Sequence, residues 1–159
     1  MLTVYINAFT TSFGVNAAGG ISLDLYFSGC SKEPKCSGCH NPILWERDDS
    51  CIKDVKFWEE IIEKHLALLD SVVFLGGEPL DQEDAALWLS NFSHGLGLKT
   101  WLYTGREYED LSEDVRKEFD VIVSGEFDEN LINTDAFIPA STNQVVTRRN
   151  ECVKNHTDS

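Results

Sequence analysis

Apolar and polar positions alternate along the chain in two periods, one of strands and one of helices. Ile21, Leu23, Leu25 and Phe27 alternate with smaller or polar residues, which predicts a half-buried strand over 21–27, and residues 3–7 read the same way. From 55 to 69 the period lengthens: Trp58, Ile61, Ile62, His65, Leu66 and Leu69 fall at helical spacing and predict an amphipathic helix laid on a sheet. Residues 71–75 form a short apolar run ending in glycines, the pattern of a buried parallel strand. Asp81 is placed to cap the next helix, with Asp84 three residues on and Ala85, Ala86, Leu89 and Phe92 supplying its inner face. Further on, the pattern predicts a strand at 99–103, a helix marked by Leu111, Val115 and Phe119, a strand at 120–123 and a last strand at 143–147.

This βαβα alternation predicts an α/β fold, a mostly parallel sheet covered by helices. A closed barrel of eight such units takes about 250 residues. The 159 residues present therefore predict an open, partial β/α barrel. One domain over 1–150 is expected, followed by a polar tail at 151–159; neither a repeat nor a low-complexity linker interrupts it.

Charge and composition narrow the function. A formal net charge of −14 argues against an extended nucleic-acid interface, which needs clustered Lys and Arg, and suits basic patches on a protein partner. No apolar run approaches the roughly 18 residues of a membrane span, and the first residues, MLTVYINAFTTSFGV, lack a signal-peptide pattern. The expectation is a cytoplasmic protein without a membrane partner. In that compartment clustered thiols bind metal or do chemistry rather than pair, and the cysteine count of five is odd.

Three of those cysteines, Cys30, Cys36 and Cys39, lie in "GCSKEPKCSGCHNP" at residues 29–42. They offer three soft ligands on one loop, with Cys36 and Cys39 spaced so that a single turn can aim both thiolates at one metal centre. A cubane cluster held by three cysteines keeps one iron open for a small molecule. Zinc with His40 as fourth ligand is an alternative, though adjacent Cys39 and His40 make cramped ligands for one ion. Residues 36–40, CSGCH, also match a haem-attachment pattern, but the lone methionine is Met1 and no export signal is evident. Cys51 and Cys152 have no neighbours at ligand spacing and read as ordinary thiols.

The other unusual residues also follow predicted strands: Gly76-Gly77-Glu78-Pro79, Tyr103-Thr104-Gly105 and Ser124-Gly125-Glu126-Phe127. Parallel strands bring their carboxyl ends to one edge, where α/β folds bind ligands, so these segments and the cysteine loop are expected to face one site. Gly76 and Gly77 leave the backbone open to a ligand, and with Glu78 they suit an ammonium group; they equally suit a plain strand-to-helix turn. Thr104, Ser141 and Asn143 add hydroxyl and amide groups suited to a polar ligand.

The cysteine loop with "CHNPILW", then "FLGGEPL", "WLYTGREYEDL", "DVIVSGEFDENL" and "STNQVV", resembles the small radical S-adenosylmethionine activases, in particular the activating proteins of anaerobic ribonucleoside-triphosphate reductases. The likeness runs from about Val15 to Val146. It implies a [4Fe–4S] cluster on Cys30, Cys36 and Cys39 whose open iron binds S-adenosylmethionine, with Gly76, Gly77 and Glu78 matching the segment that receives the methionyl ammonium. It further implies one-electron cleavage of the cofactor to a 5′-deoxyadenosyl radical. The partners it implies are a glycyl-radical reductase as protein substrate and an electron donor such as flavodoxin. Two departures stand out: five residues, SKEPK, separate Cys30 from Cys36 where the family usually has three, and Ser124 and Glu126 stand where it commonly has Asp-Gly-Lys. Two rivals remain: a small-molecule radical enzyme of the 7-carboxy-7-deazaguanine synthase type, and a zinc-stabilised interaction module without catalysis.

Overall fold

A computed structural model describes residues 1–149. Its core is a seven-stranded sheet formed by β1 (Thr3–Phe13), β2 (Ile21–Phe27), β3 (Ile52–Asp54), β4 (Ser71–Gly76), β5 (Lys99–Tyr103), β6 (Val121–Ser124) and β7 (Val145–Arg148), in the order β3-β1-β2-β4-β5-β6-β7. The central strands β2, β4, β5 and β6 run parallel, and β1, β3 and β7 close the two sides antiparallel. The strands do not close on themselves, so the open α/β barrel expected from the element count is the architecture found.

Three helices, α1 (Val55–His65), α2 (Glu83–Gly95) and α3 (Glu113–Glu118), cover one face. Alternation along the strands decides which side chains meet them. Leu23, Leu25 and Phe27 of β2, Val72 and Phe74 of β4, Leu102 of β5 and Ile122 of β6 pack against Trp58 and Ile62 of α1, Ala86 and Leu89 of α2, and Val115 of α3. The opposite face carries a smaller cluster, Val73, Trp101 and Val121 with Ala17, and the loops that follow the strands lie over it.

Several expectations are corrected. The first strand runs to Phe13 and makes a hairpin with β2, and β3 was not foreseen. The helix begun at Val55 ends at His65, and Leu66–Leu68 continues only as a 3-10 turn. Asp81 does not cap α2: a 3-10 turn at Pro79–Gln82 intervenes, capped by the Glu78 carboxylate accepting from the Leu80 N–H, and α2 starts after Gln82. The polar tail at 151–159, and Cys152 within it, lie outside the described residues.

Candidate active site

The parallel strands deliver their following segments to one edge. A cleft there is lined by Cys30, Cys36 and Cys39 after β2, Gly76, Gly77 and Glu78 after β4, Thr104 and Gly105 after β5, and Gly125 and Phe127 after β6. Val15, Trp45 and Phe137 supply apolar walls, and the enclosed space is about 210 Å³.

Backbone crossing holds the first cysteine in place. The Glu78 N–H donates to the Gly29 carbonyl at 2.8 Å, the Cys30 N–H donates to the Trp45 carbonyl at 2.9 Å, and the Gly77 N–H donates to the Phe27 carbonyl at 2.9 Å. The two chain segments lie so close at Gly77 that a Cβ there would stand 2.0 Å from the Gly29 carbonyl oxygen. Gly76 has φ +112°, a conformation that glycine adopts without strain. Gly76 is thus required by its backbone conformation and packing against β2, and Gly77 by packing against the cysteine loop, independently of any ligand.

The rest of the loop is fastened to two other segments. Ser31 donates its N–H and its hydroxyl to the Asp81 carboxylate, both at 2.7 Å, and Arg106 reaches the same carboxylate at 3.0 Å. The Lys35 ammonium donates to the Cys30 carbonyl. On the far side Lys32 pairs with Glu126 at 2.6 Å, Ser37 bridges to Asp128, and His40 packs on the Phe127 ring with centroids 4.4 Å apart. The enlarged Cys30–Cys36 gap and the acidic residue at 126, the two departures noted in the sequence, therefore meet in space. A turn closed by the Cys39 N–H on the Cys36 carbonyl at 3.2 Å brings the last two cysteines together.

All three thiols are half-buried and unpaired. Burial pushes the Cys30 and Cys36 thiols up from their ordinary values, so a metal must displace their protons to bind. Among the described residues no three His, Cys, Asp or Glu side chains converge on a position for a single ion. A zinc site built on these cysteines with His40 lacks that convergence, and His40 serves as a packing residue. A cubane asks for something else, three thiolates each on a different iron, and Cys30, Cys36 and Cys39 all line the one cleft.

Glu78 is 3% exposed, and burial raises its carboxyl above the ordinary value. Its oxygens accept from the Leu80 N–H at 3.0 Å, the Gly105 N–H at 2.8 Å and the Thr104 hydroxyl at 2.9 Å. The Thr104 oxygen in turn accepts from the Arg106 N–H at 3.1 Å. Glu78 and Thr104 thus border the cleft while their polar atoms knit the loops after β4 and β5 together. Ser141 and Asn143 do not line it. The Ser141 hydroxyl is fully buried, donating to the Gln144 side chain and accepting from the Asp128 N–H, and Asn143 is an exposed residue that donates to the Glu126 carbonyl. Gln144, the last polar residue of the same STNQVV segment, lines the cleft instead, as does Asn16, which carried no motif.

A family model described as a 4Fe-4S single cluster domain matches residues 16–147. The chain belongs to this 4Fe-4S single cluster family. The solved structure of QueE from Escherichia coli is similar in fold, with a TM-score of 0.53 at 16% identity over 66% of this chain and 54% of that one. The chain spans about half the length of that protein. No curated protein matches it. The family match supports a [4Fe–4S] cluster as a cofactor of this chain, and the likeness to QueE supports its fold. Among the described residues no helix is long and apolar enough to cross a membrane.

Proposed function

We propose that this chain is a radical S-adenosylmethionine activase that installs a glycyl radical on a large partner reductase of the anaerobic ribonucleotide-reductase kind. The observation that carries the reading is the rim of the cleft, where Val15 and Phe137 are 54% and 85% exposed. An apolar rim open to solvent suits a target presented on another protein's surface better than a polar metabolite enclosed beside the cofactor.

Cys30, Cys36 and Cys39 would hold the cluster, and the backbone of Gly76 and Gly77 would border the methionyl end of the cofactor. When bound, the pair supplies one-electron cleavage of S-adenosylmethionine to methionine and a 5′-deoxyadenosyl radical, which takes one hydrogen atom from the target glycine, the electron coming from a donor such as flavodoxin. The residues of the chain position these groups. Asp81 and Glu78 tie the cysteine loop to the loops after β4 and β5, and Trp45, Phe127 and Phe137 limit the access of water.

The fold likeness to QueE favours the rival of the 7-carboxy-7-deazaguanine synthase type, although at 16% identity it speaks for architecture alone. Reduced, cluster-loaded protein incubated with S-adenosylmethionine and a candidate reductase should give a glycyl-radical signal in electron paramagnetic resonance. Productive cofactor cleavage with a purine-like substrate and no reductase would overturn the activase reading in favour of the rival.

A further inference from the structure

The face of the sheet away from the helices holds a carboxylate that the proposed chemistry leaves unused. Asp24, in the middle of β2, is fully buried. Three donors converge on it: the Ser12 hydroxyl at 2.7 Å, the Ser22 hydroxyl at 2.6 Å and the Asn16 side-chain amide at 2.9 Å. These three donors are all neutral. Asn16 is held from a second side as well, where the Tyr103 hydroxyl donates to its main-chain carbonyl at 2.6 Å. Burial raises the Tyr103 phenol far above its ordinary value, and that hydroxyl stays a donor at every working pH.

The consequence falls on the cleft, because Asn16 lines it. The amide nitrogen is the atom that meets Asp24, which fixes the orientation of the amide. The side-chain oxygen is left over, and among the described residues it has no hydrogen-bond partner. A rigid acceptor thereby borders a cleft in which Glu78, Thr104 and Gln144 spend their atoms on one another's loops, and which Lys32, His40, Asn41 and Tyr103 also line.

We propose that Asn16 is a specificity-determining residue of this cleft, its side-chain oxygen receiving an N–H donor from the bound ligand, with Asp24 and Tyr103 as the residues that position it. The inference rests on the cleft being a radical S-adenosylmethionine site. An N–H donor there has two sources, the amino groups of the cofactor or a peptide N–H of the protein substrate, and the experiment separates them.

Wild-type, Asn16→Ala and Asp24→Asn proteins would be loaded with cluster, checked for equal iron and sulfide, and titrated with S-adenosylmethionine by calorimetry; hydrogen abstraction from the partner would be followed separately. A cofactor affinity about tenfold weaker in both variants, with cluster content unchanged, assigns the cofactor as donor. Unchanged cofactor affinity with partner turnover at least tenfold lower assigns the peptide. The decisive arm is Asn16→Ala compared with Asn16→Asp, two variants that both lose the amide donor to Asp24, of which only the second keeps a side-chain oxygen, with equal urea-unfolding midpoints as the check on folding. If Asn16→Ala matches wild type in both measurements, the proposal is wrong. If wild type itself binds neither cluster nor cofactor, the reading of the cleft fails instead.

Discussion

Replacing Gly77 by Ala tests how the cysteine loop is held. The added Cβ would stand 2.0 Å from the Gly29 carbonyl oxygen, 2.7 Å from its carbon and 3.0 Å from the Leu44 carbonyl oxygen. All three are backbone atoms, so no side-chain rotation relieves the contact, and the segment carrying Cys30 must move away. Overpacking of this kind costs about 1–3 kcal/mol. The shift also breaks the bonds from Gly77 N–H to Phe27 and from Glu78 N–H to Gly29, each worth about 1 kcal/mol net. A loss of about 3 kcal/mol follows, or a Tm lower by about 6–12 °C in a domain of this size. Urea unfolding of the cluster-free protein measures the stability, and iron and sulfide analysis after reconstitution measures the loop. Gly95, the last residue of α2, is the control: nothing lies within 4 Å of its added Cβ, and Ala there should be neutral or stabilising by about 0.4–1 kcal/mol. Should Gly77→Ala unfold with wild-type Gly95-like tolerance and bind full iron, the crossing of the two backbones does not hold Cys30.

Other perturbations probe the remaining parts. Ala at Cys30, Cys36 or Cys39 should each abolish iron and sulfide binding, whereas Cys51→Ala, which removes a half-buried thiol bonded to the Asp48 carbonyl at 2.9 Å, should keep both. Glu78→Gln puts an amide N–H₂ where donors from Leu80, Gly105 and Thr104 converge; one of them is left unsatisfied, and a loss of about 1–3 kcal/mol should appear in urea unfolding. Burial works against the ionisation of Asp120, but the Thr100 N–H, His94 and Arg149 outweigh it and hold its carboxyl below the ordinary value. A depressed folded value means stability that is present above the unfolded carboxylate pKa of about 3.9 and lost as pH falls through the folded one. Asp120→Asn should therefore lower stability at neutral pH and flatten its fall under acid, seen as a smaller difference between denaturation midpoints at pH 7 and pH 3.

The parallel centre of the fold was legible because its strands are buried on both faces and its helices present one apolar stripe each, patterns that local sequence carries. The β1–β2 hairpin was not. Beyond Asn7 the strand leaves Phe13 exposed and Phe9 only partly covered by Trp58 and His65, while Ser12 meets Ser22 and Asp24, so the usual apolar alternation is absent beside the backbone ladder. At three residues, β3 is too short to leave a period. Asp81 has the composition of a cap, yet its carboxylate is taken by Ser31 and Arg106, 50 and 25 residues away in sequence, and a long-range contact of that kind outweighs a local preference.

The site divides along the same line. That the cysteines, the glycines and Thr104 border one cleft follows from parallel topology alone, since every strand end is delivered to one edge. Which atoms remain available there does not follow, because availability is what is left after the loops have satisfied each other. Glu78 looks like a cation receiver in sequence and is consumed by Thr104 and Gly105; Ser141 looks like a ligand hydroxyl and is consumed by Gln144 and Asp128. Asn16 looks like nothing in sequence, and its side-chain oxygen is left over because Asp24 takes the nitrogen. Recognition in this cleft then depends less on which polar residues line it than on which of their atoms the fold leaves unspent.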